Sequence, residues 1–227
     1  MTGPSLVVGG PRPHDLLRIT DPARVLPIDP AADRTALRAA LERAPWVVVR
    51  RDVRDREFLP VGVRGATRSL RWAARVPRTA VAEVLTPANL LDRARPVPRD
   101  LPVFHALAAL PGPARPAWVR AWGPGGSAAF ELAAAVATAT RSSDLDLVAD
   151  VPAPVPPGEA ARLLAVLARL PVRIDLQFQT PYGGIAAAEL ARGEAQVLLR
   201  TDLGPFLVSD PWAPPPPAMP MPTPEHR

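Results

Sequence analysis

The sequence predicts an α/β protein of the α+β type. Three observations carry that expectation. The second half alternates helical and β-branched apolar segments. The first half pairs the run Trp46-Val47-Val48-Val49-Arg50 with a second extended stretch, Phe58 to Val63. No run of about 18 apolar residues appears, so the apolar material serves cores and not membrane spans. With 227 residues, 48% of them hydrophobic, the chain can bury one large core or two small ones.

In chain order, residues 1–11 are rich in Gly and Pro and read as loose, and the first structured element begins within Arg12-Pro13-His14-Asp15-Leu16-Leu17. His14 can donate to a phosphate or serve as a structural hydrogen-bonding residue. Leu37 and Leu41 sit four apart in the helix expected over residues 34–43, with Asp33 as its N-cap and Pro45 as its stop. Arg64, Arg68 and Arg71 recur around Gly65. If a helix follows that glycine, Arg68 and Arg71 share a face and can clamp a polyphosphate; a solvated basic face is the alternative. Thr86-Pro87 has the form of a helix start, and residues 101–110 read as a further helix. The stretch 111–116 is the expected linker, dividing an amino-terminal domain, residues 12–110, from a second domain, residues 117–212. In that second domain a helix follows Ser127, and strands cover 145–149, 172–178 and 196–200. Helices cover 159–170 and 185–191. Residues 213–227 form a proline-rich tail expected to be disordered.

Composition narrows the chemistry. There is no cysteine, which removes disulfides, iron–sulfur clusters and thiolate zinc, and only three histidines are present. The amino terminus shows no basic and apolar leader pattern, so a cytoplasmic protein is expected. All 27 basic residues are arginine and the formal charge is +5. A guanidinium grips phosphate bidentately, which favours an anionic substrate or partner.

Residues 123–150 hold the chemistry. Gly125-Gly126-Ser127 opens a helix, where backbone N–H groups and the dipole favour phosphate, and Ser127 reads as the N-cap. Asp144 and Asp146 fall on one face of the next strand, about 7 Å apart at Cα, while Leu145 and Leu147 face the other way. Two such carboxylates can share a magnesium ion with substrate phosphate oxygens. In Val172-Arg173-Ile174-Asp175-Leu176-Gln177-Phe178 the alternation leaves Arg173, Asp175 and Gln177 on the polar face. Asp175 thus becomes a third carboxylate if the two strands are neighbours, able to aid metal binding or accept a nucleophile's proton. The alternative for Asp175 is a surface residue paired with Arg173.

Gly126-Ser127, a helix, Asp144-Leu145-Asp146-Leu147 and a separate Asp175 resemble the active-site pattern of the DNA polymerase beta type nucleotidyltransferase superfamily, although sixteen residues between Ser127 and Asp144 is a long gap. Further segments sharpen the resemblance: Arg12-Pro-His-Asp-Leu-Leu, Pro45-Trp-Val-Val-Val-Arg-Arg, Pro60-Val-Gly-Val-Arg-Gly, Gly126-Ser-Ala-Ala-Phe-Glu-Leu, Ser143-Asp-Leu-Asp-Leu, Leu198-Leu-Arg-Thr and Asp210-Pro-Trp. Over residues 12–212 the set resembles the phosphoribosyl-dephospho-CoA transferases that complete the acyl carrier protein of malonate decarboxylase. That resemblance implies a nucleotidyltransferase-like mixed sheet in the second domain and transfer from 2′-(5″-triphosphoribosyl)-3′-dephospho-CoA to a carrier serine, with loss of pyrophosphate. It also implies Mg2+ on Asp144 and Asp146, catalysis by Asp144, Asp146 and Asp175, and triphosphate contacts from Gly126 and Ser127. Arg64, Arg68 and Arg71 are the substrate-side cations by the charge argument, and a basic surface suits docking of an acidic carrier protein. The residues themselves leave open another magnesium-dependent nucleotidyltransferase, for example one moving AMP, and a basic nucleic-acid-binding module. Scattered arginines and the lack of an aromatic-rich binding strand weigh against the module.

Overall fold

The computed structural model describes residues 10–53, 55–67, 70–94, 99–110 and 115–215. Residues 1–9 of the expected loose start at 1–11, Arg68, residues 111–114 of the expected linker and residues 216–227 of the tail lie outside them.

The first half forms β1 (Leu16–Ile19), β2 (Leu26–Pro27), α1 (Arg34–Arg43), β3 (Trp46–Val49), β4 (Phe58–Arg64), β5 (Arg71–Pro77) and β6 (Val81–Leu85). Its six strands lie in the order β2-β5-β4-β3-β1-β6, every pairing antiparallel. The Asp33 side chain accepts from the Ala36 N–H at 2.9 Å and starts α1, and Pro45 prevents its continuation. Leu37 and Leu41 of α1 cover one face of the sheet, packing with Leu17, Val47, Val61 and Val76. The opposite face does not go to solvent: Leu16, Trp46 and Leu85 pack against residues of the second half.

That second half comprises α2 (Pro87–Arg93), α3 (Pro102–Ala108), β7 (Ala121–Pro124), α4 (Gly126–Ala134), β8 (Leu145–Asp150), α5 (Pro157–Leu167), β9 (Ile174–Gln179), β10 (Gly184–Ala186), α6 (Ala187–Ala191), β11 (Val197–Thr201) and β12 (Gly204–Val208). The strand order is β12-β11-β10-β9-β8-β7. Only β8 and β9, joined through α5, run parallel, so the sheet is mixed and consistent with a nucleotidyltransferase-like α+β fold. Leu145, Leu147, Leu176 and Phe178 alternate into a core with Phe104 and Leu107 of α3 and Leu163 and Leu167 of α5. Each such burial contributes about 1.5–3 kcal/mol, and the alternation leaves the opposite face of the same strands for polar residues.

Helix α4 joins the halves. Its Ala129 and Phe130 pack with Leu16, Trp46 and Leu85 of the first sheet and Leu90 of α2, while Ala128 belongs to the core beneath β8. Gly123 brings β7 against the start of α2, since a Cβ there would lie 1.8 Å from the Pro87 carbonyl oxygen.

Several expectations need correction. Among the described residues no helix follows Gly65: β4 and β5 form a hairpin in which Arg64 and Arg71 are register partners, so strand pairing and not helical spacing brings them together. The Thr86-Pro87 start does form, and its Thr86–Asn89 capping box is closed. Ser127 is not the N-cap of α4; Gly125 holds that position and contributes no side-chain bond. The segment 185–191 begins as a strand, and β5, β6, β7 and β12 had no clear counterpart in the sequence pattern.

Candidate active site

The amino end of α4 sits directly on Asp146. The Gly125 N–H donates to the Asp146 backbone carbonyl at 2.8 Å. Gly126 has a φ of +56°, in the left-handed region, and a Cβ on it would lie 1.8 Å from the Asp146 carboxylate oxygen. Glycine is therefore demanded twice, by backbone and by space. The first-turn N–H groups of a helix lack intrahelical partners, and here Gly126 and Ser127 line the same cleft as Asp146.

The cleft has a volume of about 720 Å3 and draws on both halves. From the second half come Gly126, Ser127, Asp144, Asp146 and Asp175. Arg64 and Arg71 of the β4–β5 hairpin reach it from the first half, together with Arg43. All the described residues expected in the site thus meet in one cavity. Arg68 lies outside the described residues.

Asp146 and Asp175 are register partners across the parallel β8–β9 pair and are exposed on its polar face. Asp144 lies one residue before β8, and its carboxylate accepts from Arg173 Nε and Nη2 at 3.1 and 2.6 Å. Arg173 therefore partners Asp144 and not Asp175. These hydrogen bonds and the Asp144 charge, with smaller effects from Asp175 and Asp146, raise the Arg173 pKa above its ordinary value. Among the described residues no group of three or more His, Cys, Asp or Glu side chains is arranged to hold one metal ion. The donors present are nevertheless all carboxylate oxygens, the chemistry of a hard cation, and Mg2+ commonly takes only one or two protein carboxylates beside substrate phosphates.

The long gap before Asp144 has a structural reason. Ala135 ends α4 in the left-handed conformation, and the Glu131 side chain, 5% exposed, accepts from the Thr138 and Ala139 N–H groups at 2.7 and 2.8 Å. Arg99 Nη1 lies 2.9 and 3.0 Å from its two oxygens. Glu131 thus pins the loop that delivers Asp144. Helical periodicity gives no hint of that task, but an acidic residue between Phe130 and Leu132 in a largely apolar helix is a usable signal.

His14 also lines the cleft and has a φ of +77°. Gln177 Nε2 lies 3.0 Å from His14 Nε2 and donates to it, which places the ring proton on Nδ1. Arg51 Nη2 donates to Gln179 Oε1 at 2.7 Å, and Gln177 Nε2 reaches the same oxygen at 3.4 Å. Gly184 leaves room for this chain, because a Cβ there would lie 2.3 Å from both Arg51 Nη2 and Gln177 Nε2. Burial, aided by the charge of Arg51, lowers the His14 pKa to about 4. Of its two sequence readings, the structural hydrogen bond is the one formed. Arg43 and Arg200 also line the cleft and were missed. Alternation in β11, with Val197, Leu199 and Thr201 buried, would have exposed Arg200 as a polar-face residue.

The mixed sheet flanked by helices is consistent with an α+β nucleotidyltransferase-like fold. Residues 12–87 match the phosphoribosyl-dephospho-CoA transferase MdcG N-terminal domain, and residues 89–211 match the C-terminal domain. The phosphoribosyl-dephospho-CoA transferase of Pseudomonas aeruginosa is 44% identical over 204 residues, covering 89% of this chain and 94% of that protein. Its counterparts in Pseudomonas syringae pv. tomato and Klebsiella pneumoniae are 42% and 37% identical, covering 88% and 89% of this chain and 92% and 96% of theirs. No solved structure matches significantly. The chain belongs to the phosphoribosyl-dephospho-CoA transferase family and is an enzyme.

Two predictions follow from the geometry. Gly126→Ala should lower the transfer rate on the order of 100-fold, because a Cβ there strains the left-handed backbone and displaces the Asp146 carboxylate; steady-state kinetics with a circular dichroism check of folding will measure it. Between pH 6.5 and about 4 the unfolded chain binds a proton at residue 14 that the folded protein refuses, so stability should fall as pH falls through that window. The loss approaches about 3 kcal/mol. Urea unfolding of the parent and of His14→Asn, which tolerates the left-handed backbone, should show a shallower acid loss in the variant.

Proposed function

We propose that this protein transfers phosphoribosyl-dephospho-CoA from 2′-(5″-triphosphoribosyl)-3′-dephospho-CoA to a serine of the apo acyl carrier protein of malonate decarboxylase, releasing pyrophosphate in the cytoplasm. The observation that carries the reading is the convergence, in one cleft, of the α4 amino end with Asp144, Asp146, Asp175 and the hairpin arginines. The family membership and the names of the relatives support the donor.

In this reading the first half, with β1 to β6, supplies substrate-side and partner contacts and the second half, with β7 to β12 and α4, supplies the chemistry. The serine Oγ attacks the α-phosphorus, forming a phosphodiester as the bond to the bridging oxygen of pyrophosphate breaks. The N–H groups of Gly126 and Ser127 orient the phosphate oxygens, and Arg64, Arg68 and Arg71 offset the charge of the departing pyrophosphate. Asp175 accepts the hydroxyl proton. Asp144 and Asp146 would hold Mg2+, which supplies charge neutralisation and Lewis acidity when bound. Arg173 keeps the Asp144 carboxylate oriented toward the polar face of β9. The arginine-rich surface suits an acidic carrier protein.

The test is the mass of the carrier after incubation with the protein, magnesium and either the triphosphoribosyl donor or ATP. A phosphoribosyl-dephospho-CoA adduct is expected; an AMP adduct would point to a different nucleotidyl transfer. Asp144→Ala, Asp146→Ala and Asp175→Asn should each reduce adduct formation on the order of 100-fold or more while the fold persists. Near-normal turnover in a variant returns that residue to a structural role.

A further inference from the structure

Beside the catalytic cleft lies a second cavity of about 360 Å3, within the roughly 300–1,000 Å3 range of small-molecule sites. Its floor follows from strand register. Leu16, Val48, Gly62 and Ala73 are successive partners across β1, β3, β4 and β5 and form one row on the sheet face turned toward α4. The row falls from leucine and valine to glycine and alanine, so the sheet surface drops away beneath α4. Gly62 is kept bare by its neighbours, since a Cβ there would lie 3.1 Å from Val48 Cγ1 and 3.4 Å from Arg50 Cδ.

Phe130 of α4 closes the cavity from the opposite side, with the Arg64 guanidinium 5.9 Å from its ring centre. Arg50 and Arg71 complete the rim. Gly126, His14, Arg64 and Arg71 line both cavities, so the two communicate at the amino end of α4. A smooth apolar floor, an aromatic roof and guanidinium groups at the edge suit a flat π-system, which stacks on aromatic and arginine side chains alike.

The geometry points to a pocket for the adenine base of the donor. The inference rests on the donor proposed above. In that molecule adenosine is separated from the reacting 5″-phosphate by a single ribose, matching a base pocket that opens where the phosphate-binding turn begins. The pantetheine arm starts beyond the 5′-diphosphate, is flexible and carries amides, and it has less to gain from a smooth apolar floor under an aromatic ring.

Ala73→Leu fills the cavity from the floor, at a half-buried position outside the three buried cores. Phe130→Leu keeps an apolar side chain but removes the ring. Binding of 3′-dephospho-CoA, AMP, 4′-phosphopantetheine and inorganic tripolyphosphate should be measured calorimetrically on the full-length parent and both variants, with thermal melts to verify folding. The expected result is a loss of about tenfold or more in affinity for dephospho-CoA and AMP in both variants, with phosphopantetheine and tripolyphosphate unaffected. Parent-like affinity for dephospho-CoA and AMP in both variants overturns the pocket, as does a loss confined to phosphopantetheine. Transfer by the parent protein, read from the carrier's mass, separates the two proposals. Transfer with variant-insensitive binding rejects the adenine pocket alone. Absence of transfer with variant-sensitive AMP binding rejects the proposed donor and keeps an adenine site.

Discussion

The close approach of the 125–126 turn to Asp146 is the contact on which the remaining architecture depends. A backbone hydrogen bond holds Gly125 to the Asp146 carbonyl, and the lack of a side chain on Gly126 lets the carboxylate lie against the start of α4. Free helix N–H groups attract phosphate, and a carboxylate beside them attracts the cation that offsets its own repulsion of that phosphate. Any other residue at position 126 would strain the left-handed backbone and displace the Asp146 carboxylate or the turn. The same helix carries Phe130 into the first sheet and Glu131 into the loop before Asp144, so one element sets the glycine turn, the joint between halves and the position of a carboxylate.

The cleft is consequently a property of the assembly of two sheets. The carboxylates stand on β9, on β8 and just before it, while Arg64 and Arg71 come from a hairpin whose other neighbours belong to a different core. Ion pairs reinforce the joint. Asp150 accepts from Arg12 of the first half at 3.2 Å and from Arg120 of the second, and the chain from Arg51 through Gln179 and Gln177 to His14 crosses between them. His14 remains neutral there, which allows it to accept from Gln177 without adding charge to an already basic wall.

Much of this was legible in the sequence where local rules act alone. Asp33 and Thr86 marked their helices, and alternation in 144–147 and 172–178 separated core leucines from aspartates. What local rules could not supply is register. The proximity of Arg64 to Arg71 comes from a hairpin that helical spacing disguised, and the row from Leu16 to Ala73 exists only once four strands are paired. Edge strands such as β7 and β12 are interrupted by Gly and Pro, which weakened their signal. Ser127 looked like an N-cap because serine favours that position, but the left-handed glycine before it moves the cap to Gly125.

In the proposed reaction the donor phosphates lie between the α4 amino end and the paired aspartates. A crystal structure with Mn2+ and an α,β-methylene analogue of the donor tests it most directly. The expected result is anomalous density for manganese at Asp144 and Asp146 and phosphate oxygens within hydrogen-bonding distance of the Gly126 and Ser127 amides. Phosphates bound elsewhere, with that turn unoccupied, would contradict it.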